Sequence, residues 1–113
     1  MFILKGYITN FQPLANTQHA NKRSERIAVA NRLIQNESAK VIKIAIVDKG
    51  HDNGEEVHII YNNGVVKIYN ANTRKFITVL IARLPQMERY KIKITATMRK
   101  KINKHIKQGY NEL

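Results

Sequence analysis

Asn62-Asn63-Gly64 sits between two strand-length runs, 55–61 and 65–70, and dictates how this chain must turn. Asn-Gly is the strongest short-range hairpin signal, because both central residues of a type I′ turn need positive φ. The two runs are therefore expected to pair antiparallel. Upstream, residues 40–48 form a β-branched run of strand length, and 49–54, with two glycines, read as a turn or exposed loop. Downstream, Ala71-Asn72-Thr73-Arg74 makes a second tight turn into 75–82, the most apolar run and so expected to be central. Residues 2–9 can open the sheet, with Gly6 as a weak point or bulge.

Two helices are expected around these strands. Residues 10–16, holding Pro13, form a loop, and no Gly or Pro interrupts the chain from Leu14 to Lys49. Asn16 and Thr17 offer capping side chains, so a helix is predicted over about 17–36. Successive residues turn by about 100°, which puts His19, Arg23 and Arg26 within roughly 60° of one another, on the side of Ala30, Leu33 and Ile34. The inward stripe would thus begin with an imidazole and two guanidinium groups, which need an anion, a carboxylate or a wet cleft beside them. The structural alternative pairs the arginines with Glu25, Glu37 or a sheet carboxylate. Later, Pro85 opens a second helix, and Met87, Tyr90, Ile94, Met98, Ile102 and Ile106 recur every three or four residues to about 108, before Gly109 at C′. Strand, helix, then a meander of four strands describes an α+β fold: an antiparallel meander sheet of four to five strands, an N-terminal helix on one face and a basic C-terminal helix. At 113 residues the chain is a single domain, 1–113, with its core over roughly 2–90 and the basic helix over roughly 85–108.

Charge selects the partners. The formal charge is +12, of which residues 83–107 hold +8. Arg83, Arg89, Lys91, Lys93, Arg99, Lys100, Lys101, Lys104 and Lys107 make up that stretch, against Glu88 alone. Cations near a helix C-terminus complement its dipole, but that accounts for two or three of them. A surface that tracks phosphates accounts for all, with Lys22 on the first helix added, and the expected partner is a polyanion: nucleic acid first, an acidic protein second. A membrane-surface helix would bury Trp, Phe and Leu that this stretch lacks, and no run of about 18 apolar residues exists to cross a bilayer. Cysteine is absent, which removes disulfides and thiolate chemistry and fits a reducing cytoplasm.

Little conventional enzyme chemistry is visible. His19, His51, His58 and His105 lack the spacings of metal ligands, and two Asp with six Glu are few for a two-metal nuclease. Asp48, Asp52 and Glu55 do not have EF-hand spacing, and no Gly-rich phosphate loop or nucleophile elbow occurs. No metal or cofactor is expected. Metal-free RNA cleavage needs only a base, an acid and cations around the phosphorane. His19 would be the acid–base group, Arg23 and Arg26 the phosphate clamps, and His58 or Tyr90 the second proton-transfer group; Thr78 could hydrogen-bond a phosphate oxygen, and the alternative for His58, Thr78 and Tyr90 is ordinary strand or core placement.

His19-Ala20-Asn21-Lys22-Arg23 followed by Glu25-Arg26, with Phe76-Ile77-Thr78-Val79-Leu80 at the end of the meander, resembles a small bacterial and phage domain. That domain is similar to the RelE/ParE and colicin-type toxins of the barnase–EndoU–colicin–RelE group. The resemblance spans about His19 to Tyr90 and departs where Ile27 stands in place of the glycine that usually follows Glu-Arg. It implies an RNA-facing, cytoplasmic protein of ribonuclease-toxin type, with tRNA as the foremost substrate and an acidic antitoxin-like protein as a partner. The alternative is a phage-encoded, non-catalytic inhibitor of anti-CRISPR type, acting in the bacterial host and docking its basic surface on a host nucleoprotein complex.

Overall fold

A computed structural model describes residues 2–14, 22–50 and 54–110. Its elements are β1 (Ile3–Ile8), α1 (Lys22–Asn36), β2 (Val41–Asp48), β3 (Glu55–Tyr61), β4 (Val65–Asn70), β5 (Phe76–Ile81), α2 (Leu84–Arg89) and α3 (Ala96–Lys107). The strands pair in chain order, each antiparallel to the next, so the expected α+β meander is present. Gly6 does mark an irregularity, for the β1–β2 register shifts between Leu4 and Gly6. Leu14 ties the loop after β1 to the other end of the sheet, its N–H donating to the Arg74 carbonyl at 2.9 Å.

Helices cover both faces. Ala30 of α1, with Val29, Leu33 and Ile34, packs on Val65, Val79 and Ile81. On the other face, Met87 of α2, Tyr90, and Met98 and Ile102 of α3 pack on Ala45, Val47, Ile60, Val66 and Ile68. β5 is an edge strand and not the centre of the sheet. Val79 and Ile81 point to α1 while Ile77 and Leu80 join the opposite core, so its apolar run reflects cover on both faces.

The β3–β4 turn also departs from expectation. Only Gly64 has positive φ (95°), and its N–H donates to the Tyr61 carbonyl at 3.1 Å, as in a three-residue loop closed by a glycine bulge. Asn63 is fully buried and its side chain is engaged elsewhere, so it is not free to take the left-handed conformation of a type I′ turn. A Cβ on Gly64 would lie 2.7 Å from Ile102 Cγ1, so α3 rests directly on the turn.

The single C-terminal helix expected over 85–108 is two helices. α2 ends in a Schellman motif: the N–H of Ile92 bonds the Met87 carbonyl at 3.2 Å and that of Lys91 bonds Glu88 at 2.9 Å. Lys91 occupies the left-handed C′ position with φ 59°. Thr95 then caps α3, accepting from the Met98 N–H at 3.2 Å. The same closure ends α1 at Ser38 (φ 51°) and α3 at Gly109 (φ 88°), the residue the sequence marks for it.

Candidate nucleic-acid interface

The six candidate catalytic residues do not form one cluster. His19 lies outside the described residues, and of Arg23 the structure gives only its place on α1. Arg26 is exposed and does not share the buried stripe of Ala30, Leu33 and Ile34. α1 seats its C-terminal half on β4 and β5, and a guanidinium near its start keeps its hydration. Thr78 and His58 lie on the opposite face of the sheet, in one cross-strand row through Ile68. Tyr90 follows α2 on that same face. A sheet therefore separates the α1 packing face from His58, Thr78 and Tyr90.

His58 and Tyr90 do meet. His58 is 1% exposed and Tyr90 is fully buried. The Tyr90 hydroxyl lies 2.7 Å from His58 Nδ1, His58 Nε2 lies 2.9 Å from a Glu56 carboxylate oxygen, and Gln86 Nε2 donates to the Tyr90 hydroxyl at 2.8 Å. One proton order satisfies every member. Gln86 donates to Tyr90, Tyr90 donates to Nδ1, and Nε2–H donates to Glu56, leaving the imidazole neutral. Burial agrees, lowering the His58 pKa against the smaller opposing pull of Glu56, and raising that of Tyr90. Tyr7 on β1 donates its hydroxyl to the Tyr90 carbonyl and closes the assembly. This network fastens β1, β3 and α2 together, and neither ring nitrogen of His58 nor the Tyr90 hydroxyl is left exposed or free at its centre.

A second buried network escapes sequence reasoning. His105 of α3 is 1% exposed, and its Nε2 lies 2.9 Å from Glu37 Oε1. Asn63 Nδ2 donates to that same oxygen at 2.8 Å and to the Leu33 carbonyl at 3.3 Å, while its own oxygen receives the Val65 N–H. The end of α1, the β3–β4 turn and the end of α3 are thereby joined. A buried His on the Ile102 and Ile106 side of α3 was visible in the periodicity, but its partner 68 positions away was not. Lys67 is likewise unforeseen. It lies half-buried 5.7 Å from the Tyr61 ring centroid, with a pKa lowered by burial. Its signal was a lone cation in the otherwise apolar alternation of β4.

The candidate RNA-binding cations fare differently. Arg83, Arg89, Lys91, Lys93, Arg99, Lys100, Lys104 and Lys107 are exposed, and Lys101 is half-buried; Lys22 is on α1. On α3, Met98, Ile102 and His105 turn inward, while Arg99, Lys100, Lys104 and Lys107 share an arc of roughly 140° facing out. No acid occurs in α3, and no lysine or arginine forms an ion pair among the described residues. Among those residues, no three His, Asp or Glu side chains gather as a metal site requires, and no helix is long and apolar enough to cross a membrane. No family model, curated protein or solved structure matches the chain.

Proposed function

We propose that this chain is a small RNA-binding protein that holds structured RNA, such as tRNA, against the outer face of α3, and that His58 and Tyr90 take no part in chemistry. The observation that carries this is the solvent-facing arc of Arg99, Lys100, Lys104 and Lys107, unneutralised by any acid of its own helix. Cations so placed exchange small counterions for phosphates, and the release of those ions drives binding. The dipole does not account for the arc, because Arg99 closes the first turn of α3, where a positive charge is unfavourable. The resemblance of residues 19–26 to ribonuclease-toxin domains supports RNA over DNA.

The test incubates the purified chain with total tRNA in EDTA and runs native and denaturing gels on the same samples. Retarded but intact tRNA is expected, with affinity falling as salt rises. Each arc cation replaced by Gln should flatten the log–log salt slope by about 0.7 to 0.9. Discrete fragments, lost in His19→Ala, would replace this reading with a metal-free ribonuclease. Neither binding nor cutting would turn the basic face toward a protein partner, as in the inhibitor alternative.

A further inference from the structure

A second group of cations is built differently from the α3 arc. Phe2, Ile3, Leu4, Lys49, Arg89 and Lys91 line an open cleft of about 750 Å³ where β1, the end of β2 and the end of α2 converge. That volume lies within the range of small-ligand sites. The floor is aromatic and firmly seated. Phe2 meets His58 edge-on with centroids 6.1 Å apart and Tyr90 at 5.4 Å, so the buried network described above supports it from behind. Lys49 Nζ and Arg89 Cζ stand 5.6 and 5.9 Å from the Phe2 centroid, near the outer limit of a cation–π contact. The six lining residues include three cations and no carboxylate, and no ion pair engages those cations among the described residues.

Lys91 brings its amine to the cleft from the left-handed C′ position of the α2 Schellman motif, where φ is 59° and glycine is favoured.

We propose that this cleft binds one nucleoside phosphate, its base against Phe2 and its phosphate held by Lys49, Arg89 and Lys91. An apolar aromatic floor beneath three unneutralised cations matches a ligand that is flat and aromatic at one end and anionic at the other. Arg89 supplies planar, paired N–H donors for phosphate oxygens, and the two amines supply charge. A base inside a duplex cannot enter such a cleft; an unpaired one, splayed from a loop or an end, can. The proposal draws on the RNA-binding reading to name the strand as its source, since a free nucleotide carries the same chemistry.

The experiment titrates the isotope-labelled full chain with adenosine monophosphate, a short single-stranded oligoadenylate and a blunt RNA duplex, following amide resonances. Arg89→Gln, Phe2→Leu and Lys91→Gly are compared with the parent; the last places glycine where the backbone already favours it. Oligoadenylate is expected to shift resonances of residues 2–4 and 89–91, and each variant to weaken its binding about tenfold, with duplex affinity unchanged in the charge-neutral Phe2→Leu. Oligoadenylate binding that is equal in all four proteins overturns the cleft while leaving duplex binding on α3 intact. Monophosphate that shifts the cleft resonances while neither RNA binds retains the cleft with a free nucleotide as its ligand and overturns the RNA-binding reading instead.

Discussion

His58 lies in a strand flanked by β-branched residues, and Tyr90 lies 32 positions later; as sequence, each could serve acid–base chemistry or packing. What decides between these is the environment of the two ring nitrogens, and that depends on α2 docking Tyr90 onto one nitrogen and on Glu56 sitting two residues away on the other. Both residues could be picked out from sequence, and Tyr90 could be placed on the inward stripe; the hydrogen bonds that join them could not. Two outcomes follow from the proton order. Tyr90→Phe removes the donor to Nδ1 and the acceptor of Gln86, and should destabilise the fold by about 1–3 kcal/mol while leaving tRNA affinity unchanged. Loss of affinity in a folded Tyr90→Phe protein would return Tyr90 to the site. The His58 pKa is lowered in the fold from its usual 6.5, so the unfolded chain takes up the proton first. The stabilisation is complete above 6.5 and is lost as pH falls through 6.5 toward the lowered folded value. Urea unfolding at about pH 7.5 and about pH 5 should therefore show a smaller loss for His58→Gln than for the parent, each protein being compared with itself. Equal losses would mean that His58 is not held neutral.

At the scale of elements, β3 and β4 were legible because each lies between strong turn signals, and both begin and end where the pattern places them, while β2 was read from its β-branched run. Helix boundaries were harder. The three- and four-residue recurrence from Met87 to Ile106 runs unbroken across a gap in the helix, since Tyr90, Ile92 and Ile94 remain inward while the backbone leaves the helix. Periodicity records which side chains face the core, and a Schellman turn followed by a capped restart preserves that facing. Thr95 was the available signal, being a capping residue at a position where a helix interior would disfavour it. The left-handed Lys91 has a measurable consequence. Relief of a cost of about 1–2 kcal/mol outweighs the extra freedom that glycine gives the unfolded chain, about 0.5–1 kcal/mol, so Lys91→Gly should stabilise the fold by about 0.5 kcal/mol. Thermal unfolding in nucleotide-free buffer reads this directly, and a lower midpoint for the variant would show that the lysine side chain itself holds the turn closed.

For the molecule as a whole, charge was fully legible as a quantity and only partly as a surface. A formal +12 on 113 residues destabilises a compact chain by self-repulsion, and salt relieves it within a Debye length of about 8–10 Å. Salt also competes with phosphates for the same cations, so stability and RNA affinity should respond to it with opposite signs. Arg99 and Lys100 make that opposition sharpest. Arg99 closes the first turn of α3, where the helix dipole adds to the general repulsion, Lys100 follows it, and neither forms an ion pair among the described residues. Replacing both with Glu should raise the unfolding midpoint at low salt, the Arg99 change contributing about 0.3–1 kcal/mol through the dipole and both changes reducing the net charge, and lower tRNA affinity by at least about tenfold. The gain should shrink as salt is added, since both the dipole and the net charge are screened. A double variant that loses stability at low salt would mean that these cations serve the fold, and the α3 arc would then lose its claim on RNA. A variant that gains stability and loses binding would show two cations kept at the expense of the fold, which is the behaviour expected of a surface held for a polyanionic partner.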